Sequence, residues 1–126
     1  MQPTSTRPTA INLAHKFSLI DAQWQPRVVA EMNDYQFKLA RIEGDFILHQ
    51  HADTDEAFIV VRGRLRIDLP EGPVQLQAGE MFVVPRGTPH KPCAEGEVWL
   101  MLVEPRGVAN TGDSGGERTA PNDLWV

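Results

Sequence analysis

The chain has 126 residues, 41% of them hydrophobic, with 17 acidic against 12 basic side chains and a net charge of -5. That length suits one domain with a core that buries roughly two thirds of the unfolded surface. The acidic balance excludes a general binder of phosphate backbones, so no nucleic-acid partner is expected, and the single cysteine, Cys93, excludes an internal disulfide. No apolar run is long enough for a membrane span, and the opening "MQPTSTRPTAINLAHKF" lacks the apolar stretch of a signal peptide, so a soluble cytoplasmic protein is expected.

Three parts follow in chain order. Residues 1–24 form an N-terminal extension whose first ten residues are rich in Pro and Thr and have little to bury. Within it, Ile11, Leu13, Ala14, Phe17 and Ile20 fall at near-helical spacing behind Asn12, a residue suited to the N-cap, which predicts a short helix with His15 at its surface.

From residue 25 to 104 the period becomes two. "YQFKLARI" alternates, and "EAFIVVRGRLRIDL" and "EMFVVP" are β-branched apolar runs cut by Gly or Pro. Turn chemistry recurs at "ND" 33–34, "RG" 62–63, "PEGP" 70–73, "AG" 78–79 and "EG" 95–96. These intervals leave no room for crossover helices. An all-β, antiparallel barrel or jelly roll of about eight or nine strands is predicted, with the short helix ahead of it. Residues 105–126 are rich in Gly, Pro, Asn and Thr and read as a tail strapped over the barrel by Leu124 and Trp125.

The chemistry concentrates in "HQHADTDEAF", residues 49–58. Imidazoles at i and i+2 of an extended segment point to one face, and Glu56, Phe58 and Val60 share a face of the next strand by the same rule. With His90, three nitrogens and one carboxylate can converge. That donor set suits one borderline divalent metal such as Zn, Fe, Ni, Mn or Co, with positions left open on an octahedral ion. The other reading is a hydrogen-bonded polar cluster without metal, in which an unpaired Glu56 would be costly to bury.

The spacing at these residues resembles the two motifs of the cupin superfamily: His49-x-His51, four residues, Glu56, six residues, Gly63; then Gly79, five residues, Pro85-x-Gly87, two residues, His90. The fifteen residues between Gly63 and Gly79 suit a small single-domain cupin. Two positions depart from the pattern: four residues rather than five separate Gly44 from His49, and Ala94 stands where Asn is usual. The resemblance implies a double-stranded β-helix, metal ligation by His49, His51, Glu56 and His90, and a homodimer. It also implies a likeness to sugar-phosphate isomerases of the mannose-6-phosphate type, a label that fold alone does not turn into a reaction.

The function expected is that of a metal-dependent enzyme of isomerase or dioxygenase type acting on a small polar or anionic metabolite. The alternative is a non-catalytic module that binds or senses a small ligand through the metal. Glu43, Tyr35 and Lys38 are the candidate barrel-side bases, depending on strand parity. Asp53 and Asp55 read as a solvated loop, Arg62, Arg64 and Arg66 as a solvated strand face, and Cys93 as a small buried hydrophobe. Trp99 and Met101 read as core or subunit interface. Apolar strands outnumber what one small barrel needs inside, which also points to a dimer.

Overall fold

The computed structural model describes residues 9–126. The Pro- and Thr-rich opening therefore falls largely outside the described residues, as does the first half of the stretch in which no signal peptide is expected. The predicted helix is present as α1 (Leu13–Ser18): the Asn12 side chain accepts a hydrogen bond from the His15 amide at 3.0 Å, and Phe17 is its buried residue. His15 is exposed.

Seven strands follow: β1 (Arg27–Met32), β2 (Tyr35–Asp45), β3 (Glu56–Arg62), β4 (Arg64–Asp68), β5 (Val74–Gln77), β6 (Met81–Val84) and β7 (Lys91–Pro105). All their pairings are antiparallel, in the order β1-β2-β7-β3-β6, with β4 joining β7 and β5. The number is below the eight or nine read from turn signals because "EG" at 95–96 is no turn. β7 runs through it as a bulge, where Gly96 takes φ 75° and the register against β2 shifts between Ile42 and Gly44. One 15-residue strand thereby serves two sets of neighbours: its first half pairs with β4 and its second half with β3. The other turns are present, and Asn33 takes φ 56° between β1 and β2.

The barrel interior is filled by Ala40, Ile42, Phe58, Val60, Leu65, Leu100 and Leu102, among others. On the outer face, α1 covers a second cluster in which Phe17 stacks on Trp99 with ring centroids 4.7 Å apart. Alternation along β2 sets the unusual parity: Tyr35 lies exposed outside, while Gln36 and Lys38 are buried inside. Their partners come from the tail and β7, since Gln36 Nε2 donates to Asp123 and Lys38 Nζ to Glu104.

Residues 105–126 fold back over one end of the barrel. Their last residues form a parallel bridge to β1, with the Val28 amide donating to Leu124 O at 2.7 Å and the Val126 amide to Val28 O at 3.1 Å. Backbone pairing and Val126, which packs against the cluster under α1, fasten this end, whereas the Leu124 side chain is 38% exposed. Among the described residues no helix is long and apolar enough to cross a membrane.

Candidate metal centre

The segment after β2 returns alongside the residues that lead into β7. The Phe46 amide donates to Pro92 O, and His49 and His90 exchange both backbone hydrogen bonds at 3.0 and 2.8 Å as an isolated antiparallel bridge. Directly opposed residues share a face, so the two rings come within 4.3 Å. The Gly87 amide holds His51 O at 2.7 Å, which keeps the segment extended and turns His51 to the same side as His49. Glu56 opens β3 opposite Val84 and points inward with Phe58 and Val60.

The sequence reading brought these four residues together, and so does the fold. One donor atom from each of His49, His51, Glu56 and His90 lies within 4.8 Å of the others. All four are buried, at 5%, 6%, 4% and 1% exposure respectively. Glu56 Oε1 sits 3.3 Å from His51 Nε2 and 3.4 Å from His90 Nε2, yet none of these three atoms makes a properly directed hydrogen bond. The distances alone would permit pairing, yet the three buried atoms are left without a hydrogen-bond partner. A cation held between them would satisfy all three.

Protonation favours the same conclusion. Nδ1 of His49 faces the Ile47 carbonyl and Nδ1 of His90 the Thr88 carbonyl, each at 2.9 Å. A carbonyl only accepts, so Nδ1 carries the hydrogen, and in the neutral ring Nε2 is then the nitrogen with the lone pair. Burial pushes His49 down to about 4, helped by the neighbouring His90. For Glu56, burial acts to raise the pKa, but His51 and His90 outweigh it and hold the carboxyl below the usual range. Neutral imidazole and ionised carboxylate are the forms in which these groups bind metal. The residues could hold a divalent metal, and the donor set does not fix which.

Above the cluster lies a cavity of about 30 Å³, walled mainly by Trp24, Ile42, Phe46, Phe58, Leu100 and Leu102. Trp24 stacks on Phe46 at 4.7 Å, and Phe46 meets the His49 ring edge-on at 5.4 Å. The tail closes this end. Arg118 lies 4.9 Å over Phe46, Asn110 donates to Trp24 O, the Asp113 amide donates to Gln50 O, and Asp113 Oδ2 accepts from the Ala52 amide. Gly112 sits so close to the Gln50 carbonyl that a Cβ would collide with it.

Of the candidate bases, only Lys38 is on the barrel side; Tyr35 and Glu43 are exposed. Lys38 Nζ is engaged by Glu104 Oε1 at 3.0 Å and Val108 O at 3.2 Å. Despite that ammonium, burial and the nearby charge of Glu56 push the Glu104 carboxyl well above its ordinary value. Sequence reasoning missed Glu104, although a lone acid on the same face as Leu100 and Leu102 of an apolar strand was a visible signal. It also missed Trp24, whose φ of 60° has no signature in the sequence.

The remaining candidates lie elsewhere. Asp53 is exposed, and Asp55 pairs with Arg86 at 3.2 Å on the surface. Arg64 is exposed, Arg66 pairs with Asp68 at 2.8 Å, and the Arg62 guanidinium lies 3.8 Å over the outer face of Trp99. Cys93 is buried, and burial raises its thiol pKa, so it is not an activated nucleophile. Trp99 and Met101 belong to the outer cluster, away from the cavity.

Comparison with known proteins agrees with this architecture. A cupin-2 domain containing protein from Shewanella frigidimarina, known from its crystal structure, is 56% identical and superposes with a TM-score of 0.75 over 76% of this chain and 94% of that one. Protein NMB1881 from Neisseria meningitidis is 32% identical with a TM-score of 0.70, over 77% of this chain and 99% of that one. The uncharacterized protein YdbB of Bacillus subtilis is 38% identical over 64 residues, half of this chain, which spans only 57% of that relative. The family profile described as Cupin domain matches residues 37–104, and the chain belongs to the cupin family.

Proposed function

We propose that His49, His51, Glu56 and His90 hold one divalent transition metal and that the protein is a metal-dependent enzyme acting on a small metabolite. The metabolite presents a polar or anionic oxygen at the cluster, and the chemistry is of isomerase or dioxygenase type. The observation that carries this reading is the set of buried donor atoms that converge without hydrogen-bonding one another. When bound, such an ion polarises a carbonyl or holds an anionic oxygen.

The chain's own residues supply the rest. The Ile47 and Thr88 carbonyls fix the ring orientation of His49 and His90. Phe46, Phe58 and Leu102 exclude water from the space beside the cluster, which strengthens every electrostatic interaction there. The free space beside the cluster is about 30 Å³, room for one or two waters, and Asn110 of the tail lines it.

A non-catalytic binding or sensing module is the second reading. It is favoured by the placement of the candidate bases: Tyr35 and Glu43 are outside, and Lys38 is held by Glu104 and Val108 O. The two readings separate when metal-loaded protein is incubated with keto acids, sugar phosphates and diols and followed by NMR. Appearance of product with one class supports the enzyme; saturable binding with no product under any metal selects the binding module.

A further inference from the structure

The register of β3 against β7 puts a second carboxyl group beside the metal cluster. Ala57 pairs with Val103 and Phe58 with Leu102, so the next residues along, Glu56 and Glu104, stand opposite one another on the inner face. Both are buried, at 4% and 1% exposure. Lys38 of β2 also reaches Glu104, its Nζ donating to Oε1 at 3.0 Å. No donor reaches Glu104 Oε2, and the Glu56 carboxyl lies within hydrogen-bonding distance of the Glu104 carboxyl. The Lys38 pair accounts for one oxygen of Glu104. It does not account for an acid buried against a second acid, an arrangement that like charges oppose.

We propose that Glu104 is a positioning residue of the metal centre: it hydrogen-bonds the Glu56 carboxylate and holds it in place for the ion, while Lys38 fixes Glu104 in turn. This role rests on the metal reading given above. The rings of His49 and His90 are held by the Ile47 and Thr88 carbonyls, whereas Glu56 has no backbone partner of that kind among the described residues. A long carboxylate side chain loses rotamer freedom when it ligates, and a partner that has already fixed it lowers that cost. A hydrogen bond between two carboxyl groups takes one proton. Glu56 binds the ion as carboxylate, so Glu104 is the donor. Glu104 lines, with Lys38, a separate space of about 10 Å³ under the tail, and it is absent from the walls of the cavity beside the cluster. It therefore acts through Glu56 and not on a substrate.

The test is the affinity of the full chain for Zn, Fe, Ni, Mn and Co as divalent ions, by calorimetry without oxygen, with the visible absorption of the Co-loaded protein alongside. Wild type is compared with Glu104→Gln and with a matched pair, Lys38→Met/Glu104→Gln and Lys38→Met/Glu104→Leu. The pair strands no ammonium and differs only in the group opposite Glu56; Lys38→Met/Glu104→Met takes the place of the Leu variant if that does not fold. The amide introduced by Glu104→Gln donates at every pH, so it replaces the acid's hydrogen bond. Both Gln variants are expected to bind within about threefold of wild type, and the Leu variant at least about 10-fold more weakly, with an altered Co spectrum. Urea unfolding of the metal-free variants separates this from a purely structural role, which would change stability and leave affinity and spectrum alone. Equal affinity and the same spectrum across the matched pair, or a Glu104→Gln variant as weak as the Leu one, overturns the positioning role and leaves the metal reading standing. A wild type that takes up none of the five ions overturns both.

Discussion

At the scale of single residues, the cluster is a set of groups whose ionisation is set by burial and by one another. His49 is the clearest case. Unfolded, it takes up a proton near 6.5; folded, only near about 4. Between those values the unfolded chain binds more protons, so the stability of metal-free protein rises with pH across the window and is lost as pH falls through it, by about 3 kcal/mol in full. Glu104, whose carboxyl is pushed up by burial and Glu56, works in the opposite sense and loses its contribution as pH rises. Comparing His49→Asn with wild type therefore isolates the His49 effect: urea unfolding from pH 4.5 to 7 is expected to show a flatter profile in the variant. Identical profiles would mean His49 is not held neutral by the fold. A second expectation concerns charge at constant shape. Glu56→Gln keeps the volume but removes the anion, and it is expected to weaken divalent metal binding at least about 100-fold by calorimetry.

At the scale of elements, two devices hold the site. Gly63, at φ 90° between β3 and β4, lets the chain pass Glu97 O, which a Cβ would approach to 2.8 Å. Gly63→Ala is expected to cost about 2–3 kcal/mol in chemical denaturation, from positive φ and the clash together. The second device joins β2, β7 and the tail through Lys38 and Glu104, both buried. Glu104→Ala strands the Lys38 ammonium and is expected to cost about 3–5 kcal/mol, whereas Lys38→Met/Glu104→Leu recovers most of the loss. Equal destabilisation by single and double variants would show that the pair does not act as a unit. The strands themselves were legible, because period-two patterns and Gly-rich turns are local. What was not legible was the passage of β7 through "EG" and the inward parity of Gln36 and Lys38. Both depend on partners distant in the chain: β2 and β4 flanking the bulge, Asp123 accepting from the Gln36 amide and Glu104 from the Lys38 ammonium.

At the scale of the whole molecule, a single barrel uses one face of its sheet for the interior and leaves part of the other apolar. The sequence carried the four-residue cluster well, since each of its members sits in a motif whose spacing the strand geometry explains. It carried the surroundings poorly: the Trp24–Phe46 wall and the Arg118 cover come together only when the tail folds over the barrel end. The tail also makes metal content and stability one question. An ion bound only by the folded chain stabilises it by about 4 kcal/mol at a thousandfold excess over its dissociation constant, which appears as a rise in melting temperature.

Elemental analysis of the full chain after exposure to Zn, Fe, Ni, Mn and Co in turn, alongside His51→Ala/His90→Ala, tests the central claim most directly. About one equivalent of at least one metal per chain, with a matching thermal shift and neither in the variant, is the result expected of a site built from these four side chains. No bound metal in wild type, or the same content in wild type and variant, would contradict it.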